Sequence, residues 1–268
     1  MKNFIEKHPF WFSVAFTVLV MQILGIVTVV ICRALGFSVV AYKVASAGVT
    51  TIVPLIFIWR IGWWKDSGLV SKTENAYALT VPLILMFFPL VFYGTIQLNA
   101  QTSTLYLLAV LFTGISEEAV YRGLFGRAFL PYGKWKAVLI PSIIFASAHI
   151  VQSLGGEMSL QENLAQIANA FISGLLLGAV RLRVNNIWPL IFIHAIRDLF
   201  WLTGGLWDGV LSLSTYQTTV APLFVWLPSI IAAIYLMRKP IAATINGVPV
   251  GTMDKPLTTS RATSQPAN

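Results

Sequence analysis

Hydrophobic residues dominate this chain in long uninterrupted runs, a pattern that predicts helices crossing a membrane. The first run, Phe10 to Cys32, is long enough to span about 30 Å of hydrocarbon. Because backbone groups find no water partners in lipid, such runs form internally hydrogen-bonded helices. We therefore predict an all-α transmembrane bundle of about eight spans within residues 1–240. The seven further runs are Val44–Trp59, Ala76–Leu98, Thr104–Phe129, Ala137–Gln152, Asn163–Val180, Ile187–Thr203 and Val220–Met237.

The basic residues give this bundle an orientation, because Lys and Arg accumulate in cytoplasmic loops. The side opposite the N-terminus has Arg33 and Lys43 but is otherwise acidic or neutral. Both termini are therefore predicted to be cytoplasmic. Residues 241–268, rich in Thr, Ser, Pro and Ala, are predicted to form a disordered cytoplasmic tail. The basic residues of the predicted cytoplasmic side are Lys2, Lys7, Arg60, Lys65, Lys72, Arg127, Lys134, Lys136, Arg181, Arg183, Arg238 and Lys239.

Composition agrees with a membrane protein. Hydrophobic residues make up 57% and charged residues 10% of the 268 residues, whereas soluble domains average about 25% charged residues. The net charge of +8 is spread over short loops with no basic stripe, so the lipid bilayer, and not nucleic acid, is the expected partner. Short loops and small size fit a multi-pass protein of the bacterial plasma membrane, and the oligomeric state is open.

Charged and titratable residues interrupt three of the predicted spans. A charge near the bilayer centre costs about 2.5 kcal/mol or more, so such residues indicate a functional site. Counted from the predicted cytoplasmic ends, Glu117 lies about 18 Å deep, His149 about 20 Å, His194 about 12 Å and Asp198 about 18 Å. This common depth predicts one site. Its residues are Glu117, Glu118 and Arg122 in the fourth span, His149 in the fifth, and His194 and Asp198 in the seventh.

Spacing within the fourth span assigns candidate roles to its charged residues. Glu118 and Arg122 are four residues apart, so they can pair along one helix face and offset the cost of both charges. Glu117 points about 100° away from Glu118 on an α-helix. It is therefore the candidate general base.

The histidines suit hydrolysis by water. His149 can share a water molecule with Glu117, one group taking its proton and the other later donating to a leaving amine. His194 and Asp198, also four residues apart, can pair and stabilise an oxyanion or orient the water. No Ser or Cys nucleophile is obvious in this set, so activated water is preferred over an acyl-enzyme.

These residues resemble the CPBP intramembrane proteases, a family that includes the type II CAAX prenyl endopeptidases and bacteriocin-processing or immunity proteins. The matching core extends from about Thr104 to Thr203. The family has three motifs: two glutamates then arginine after three residues, phenylalanine then histidine after three, and histidine then asparagine or aspartate after three. They match Glu117, Glu118 and Arg122, then Phe145 and His149, then His194 and Asp198.

The resemblance implies hydrolysis of a peptide bond within the membrane. Glu117 and His149 would activate water, and His194 and Asp198 would stabilise the oxyanion. A membrane-anchored peptide or protein, prenylated or not, is the implied substrate.

Three alternatives stand beside this interpretation. His149, His194 and a carboxylate are residue types that bind zinc, but no His-Glu-x-x-His motif is present and Glu118 is assigned to Arg122, so no cofactor is expected and zinc is the alternative. The same fold could serve a non-catalytic bacteriocin-immunity or partner-binding protein. Intramembrane Glu, Asp and His also serve proton-coupled transporters, although the sequence shows no repeat symmetry or broken helix of that kind.

Overall fold

A computed structural model describes residues 1–87, 100–151, 159–202 and 216–251 of the chain. Its architecture is an all-α membrane bundle, which confirms the predicted fold class. The helices of these residues, α1 to α9, are Lys2–Lys7, Pro9–Ala34, Val39–Arg60, Thr80–Phe87, Ala100–Glu117, Lys134–Ala148, Leu160–Val184, Trp188–Leu202 and Leu227–Arg238.

Shorter helical segments lengthen several of these helices. Helix α2 is π-helical over Thr17–Ile23, and a 3₁₀ turn at Ala76–Leu79 leads into α4. Another π-helical segment, Tyr216–Trp226, leads into α9. Helix α5 continues as a π-helical segment, one α-helical turn and a 3₁₀ turn, at Glu118–Phe125, Gly126–Phe129 and Leu130–Tyr132.

Helices occur at each of the eight predicted positions, but not all of them are long enough to cross a membrane. Within the described residues, α6 and α8 have 15 residues each. Residues 88–98 of the predicted third span lie outside the described part of the chain, so the total of eight spans stays a prediction. The five helices long and apolar enough to cross a membrane are Pro9–Ala34, Val39–Arg60, Ser103–Tyr132, Leu160–Val184 and Val220–Arg238.

The helices pack as two groups around the π-helical segment that follows α5. Helix α3 contacts α2 and α5, and α5 also contacts α8, while α7 contacts α6 and α9. The π-helical segment touches α6 and joins the groups. Phe125, Phe145 and Ile187 are buried at this junction. Residues such as Ile52 and Ile56 on α3 remain exposed, as expected for side chains that face lipid.

Small residues allow α6 and α7 to approach each other closely. A Cβ atom added at Gly174 would lie 3.0 Å from the Cβ of Ser142 and 3.2 Å from its Cα, and one at Gly178 would lie 3.0 Å from Val138 Cγ1. Ser142 itself donates a hydrogen bond to the Val138 carbonyl (2.6 Å). The two glycines, four residues apart, thus form a packing surface within one chain.

The loops that carry the predicted cytoplasmic charges meet at one end of the bundle, which we call the basic end. Arg127 Nη1 lies 2.8 Å from Glu6 Oε1, Arg127 Nε lies 3.4 Å from Asp66 Oδ2, and the guanidinium stacks 3.6 Å from the Trp63 ring centroid. Lys134 Nζ donates to the Lys239 carbonyl (3.1 Å). This arrangement agrees with loops on one side of a membrane, and the cytoplasmic assignment stays a prediction.

Part of the segment predicted to be disordered has regular structure. Residues Thr244–Ile245 (β1) and Val248–Pro249 (β2) form an antiparallel hairpin. Its turn, Asn246 and Gly247, has positive φ at both positions, as a type I′ turn requires. The side chains of Ile245 and Val248 are buried against Phe129 and Leu130. This apolar surface exists only in the folded bundle, which explains the difference; residues 252–268 of the predicted tail lie outside the described residues.

The close contact of α6 and α7 predicts a steric effect at Gly174. Gly174→Ala should be less stable than the matched control Gly126→Ala by about 1–3 kcal/mol, the cost of overpacking. Both changes raise helix propensity equally, but a Cβ at Gly126 would meet its nearest neighbours at an ordinary 3.7 Å. Reversible unfolding in mixed micelles measures the difference. Equal stability of the two variants would contradict this packing.

Candidate active site

Glu118 lies at the centre of the polar cluster and is completely buried. Its Oε1 atom is 2.9 Å from Arg122 Nη1 and 2.7 Å from His194 Nδ1. The first contact confirms the pair that the spacing predicts. The second joins α5 to α8, so one carboxylate oxygen holds a guanidinium of its own helix and an imidazole of another.

The helix changes geometry between the two adjacent glutamates. Helix α5 ends at Glu117, and the π-helical segment begins at Glu118, with all eight of its residues buried. Such wide turns are rare and occur frequently at functional sites. Arg122 remains beside Glu118 and places its guanidinium 4.7 Å from the centroid of the Phe145 ring on α6, a distance suited to a cation–π contact.

A glycine on α5 explains why α8 comes close enough for His194 to reach Glu118. A Cβ added at Gly114 would lie 3.0 Å from the Ile191 carbonyl oxygen and 3.4 Å from Ala195 Cβ. These two residues of α8 flank His194. The backbone of α8 therefore rests on Gly114, one turn before the glutamates.

The second ring nitrogen of His194 faces a different group of side chains. Its Nε2 atom is 3.3 Å from Glu117 Oε2, 3.4 Å from Asp198 Oδ2 and 3.3 Å from Arg197 Nη2. The predicted contact of His194 with Asp198 is present. The carboxylate nearest to the ring, however, is that of Glu118, a partner that spacing within one helix cannot reveal.

The cluster thus has two layers that differ in the exposure of their side chains. The inner layer is almost fully buried, with side-chain exposures of 0%, 3% and 2%, and consists of Glu118, Arg122 and His194. The outer layer has exposures of 22%, 25% and 23%, and consists of Glu117, Arg197 and Asp198. The outer layer can therefore be contacted from outside the protein, whereas the inner layer is enclosed by it.

His149 follows the last residue of α6. Its Nδ1 atom is 2.9 Å from the Phe145 carbonyl oxygen, and its ring packs edge-on against the Phe145 ring at 4.9 Å. Because a carbonyl oxygen only accepts, Nδ1 carries the proton in this contact, and Nε2 of the neutral ring keeps its lone pair. Asn163 donates to the His149 carbonyl (3.0 Å), and Gln22 donates to the Ala148 carbonyl (3.3 Å). Side chains of α2 and α7 thus fix the end of α6.

The ring of Phe145 links His149 to the other site residues. It lies 4.9 Å from the His149 ring, 6.3 Å from the His194 ring and 4.7 Å from the Arg122 guanidinium. The structure therefore brings all six predicted site residues into one cluster. It adds Arg197, which the sequence interpretation left out of the site although Arg197 lies three residues from His194, on the same face of a helix.

The side chains of the cluster make contacts with one another that compete with binding of a zinc ion. Among the described residues, no group of three or more His, Cys, Asp or Glu side chains is arranged to hold a metal. The reason lies in the contacts of the cluster: His194 Nδ1 and Glu118 Oε1 are bound to each other, and Arg197 lies 3.3 Å from His194 Nε2. A guanidinium at that distance would repel a cation.

Comparison with known families identifies the kind of protein that carries this cluster. Residues 99–200 match the family described as type II CAAX prenyl endopeptidase Rce1-like. The match spans all six predicted site residues and confirms the resemblance inferred from the three motifs. The chain is a multi-pass membrane protein that, over residues 99–200, is similar to this family of CAAX endopeptidases. No curated protein and no solved structure matches the chain.

The two layers predict different effects of neutralising the adjacent glutamates. Glu118→Gln leaves Arg122 buried without its charge partner and should lower the free energy of unfolding by about 3–5 kcal/mol. Glu117→Gln removes a partly exposed charge and should cost no more than about 1 kcal/mol. Both are measured by unfolding in mixed micelles. Equal losses in the two variants would contradict the division into layers.

Proposed function

We propose that the protein is an intramembrane endopeptidase that hydrolyses a peptide bond of a membrane-anchored peptide or protein with water activated by Glu117 and His149. One observation carries the proposal. Glu117, a partly exposed carboxylate, adjoins a fully buried Glu118 that is bound to Arg122 and His194. The CAAX protease match over residues 99–200 supports the same reaction class.

Glu117 is the general base of this proposal because the other glutamate is occupied. Oε1 of Glu118 already forms an ion pair with Arg122 and a hydrogen bond with His194, and its side chain has no exposure. A base must lie within hydrogen-bond reach of the proton that it takes. Glu117, 22% exposed, meets that condition for a water molecule in the outer layer.

His149 is the second group that handles protons. Its Nε2 lone pair is free to accept a hydrogen bond from the water that Glu117 deprotonates. The hydroxide attacks the carbonyl carbon and forms a tetrahedral oxyanion. The C–N bond then breaks, the leaving amine takes the proton held by Glu117 or His149, and a carboxylic acid product remains.

The outer side of His194 faces the developing negative charge. In the protonated ring both nitrogens carry hydrogen, so Nε2–H can donate to the oxyanion while Nδ1–H remains hydrogen-bonded to the Glu118 carboxylate, which keeps the ring in place before the reaction begins. Asp198 contacts the same nitrogen and orients it. The proposed site therefore comprises Glu117, His149, His194 and Asp198 around the reacting atoms, with Glu118 and Arg122 beneath them.

A site inside a membrane bundle restricts the substrate to segments that reach it through the bilayer. We also propose that the chain crosses the membrane eight times, that both termini are cytoplasmic, and that the protein lies in a bacterial plasma membrane. The reaction uses side chains alone, with no metal.

Neutral isosteres at the two proton-handling residues test the reaction. Glu117→Gln and His149→Gln should each lower the cleavage rate of a quenched membrane-anchored peptide in liposomes by about 10²–10⁴-fold, the usual contribution of general acid–base groups. Mass spectrometry identifies the products. Glu74→Gln removes an exposed carboxylate outside the site and should cleave at the wild-type rate. Unchanged cleavage by both site variants with intact folding would disprove the proposal.

Metal removal tests the second part of the proposal. Treatment with 1,10-phenanthroline followed by dialysis should leave the cleavage rate unchanged, because the donors of the cluster are bound to one another or lie beside Arg197. Elemental analysis of the purified protein should show no stoichiometric metal. Loss of activity that added zinc restores would favour the metal-dependent alternative.

A further inference from the structure

Asp198 presents an electrostatic problem at the outer layer of the site. Its Oδ2 atom lies 3.4 Å from His194 Nε2, the nitrogen that faces the reacting atoms. An ionised carboxylate only accepts hydrogen bonds, and its charge opposes the oxyanion that forms during hydrolysis. Something must offset this charge if the outer layer is to stabilise a negative intermediate.

The guanidinium of Arg122, in the inner layer, cannot offset the charge of Asp198. Arg122 is bound to Glu118 at 2.9 Å, has only 3% of its side chain exposed and lies against the Phe145 ring. The positive charge of Arg122 is therefore already matched by the buried carboxylate of Glu118. Glu117 and Asp198 together bring two further carboxylates to the outer layer.

Arg197 is placed to balance the outer layer. Its Nη2 atom is 3.5 Å from Asp198 Oδ1 and 3.3 Å from His194 Nε2. His194, Arg197 and Asp198 occupy positions i, i+3 and i+4 of α8, so one face of the helix presents all three. The arginine thus contacts both members of the pair that faces the reacting atoms.

Arg197 also retains an unused hydrogen-bond donor. Its Nε atom is buried and has no hydrogen-bond partner among the described residues. Burying an N–H group without a partner is unfavourable, and among the described residues buried arginine nitrogens of this kind also occur at Arg122 and Arg181. The side chain is therefore held at the cluster by its charge and not by complete hydrogen bonding.

We propose that Arg197 is a positioning residue of the peptidase reaction: it neutralises Asp198 and holds it against His194, so that the outer layer accepts the negative charge of the tetrahedral intermediate. This inference rests on the proposed function. Arg197 would act on the reaction through Asp198. The effect of losing Arg197 on the cleavage rate should therefore depend on whether residue 198 carries a charge.

A double-mutant cycle measures that dependence. Arg197→Met should lower kcat by about 100-fold with KM little changed, because the loss acts on the intermediate. Asp198→Asn removes the opposing charge and supplies an amide donor, so it should lose no more than about tenfold. In the Asp198→Asn background, Arg197→Met should cost less than about tenfold, because the interaction has already been removed. Arg197→Lys keeps the charge and should recover most of the loss.

Thermal unfolding of the same four proteins of the cycle provides a readout that does not need substrate. Arg197→Met should lower Tm, and adding Asp198→Asn should raise it again, because an unpaired carboxylate is no longer left in the bundle. Lys72→Met, which removes an exposed loop cation, should change neither Tm nor the cleavage rate.

The inference is overturned if Arg197→Met cleaves within threefold of the wild-type rate. It is also overturned if Arg197→Met lowers the cleavage rate and Tm by the same amounts in the wild-type protein and in Asp198→Asn. Failure of the proposed function looks different. In that case the wild-type protein itself, folded and in liposomes, does not cleave, and the Tm cycle alone then decides whether Arg197 and Asp198 are coupled.

Discussion

The site depends on one buried carboxylate. Glu118 has no exposure, and its Oε1 atom binds Arg122 on the same helix and His194 on α8. A charge in a membrane bundle persists only when it is paired, and removing one partner leaves the other uncompensated. The contact therefore fixes the positions of α5 and α8 relative to each other, and with them the side of His194 that faces the outer layer.

This constraint separates two glutamates that are adjacent in sequence. The change from α-helical to π-helical geometry falls between them. Glu118 is thereby committed to charge pairing in the inner layer, whereas Glu117 lies in the outer layer and is 22% exposed. Two identical side chains therefore have different surroundings, an arrangement that in other proteins separates the pKa values of paired carboxylates.

Contacts within one helix could be predicted from the sequence, and contacts between helices could not. The Glu118–Arg122 pair and the contact of His194 with Asp198 follow from a spacing of four residues. The bond from Glu118 to His194 depends on how closely α8 approaches Gly114, which no spacing encodes. The hairpin that includes Asn246 and Gly247 had a recognisable turn signal, but its stability depends on apolar surface contributed by distant residues.

Lipid itself explains why so much of the site was nevertheless predictable. In a soluble protein a charged residue can face water anywhere on the surface, so its position in sequence says little about its partners. Within a membrane bundle the same residue must turn toward other polar groups. Arg197 lies three residues after His194 and one before Asp198, on the same side of α8. The arginine contacts both residues, because within the bilayer this cluster is where its charge is matched.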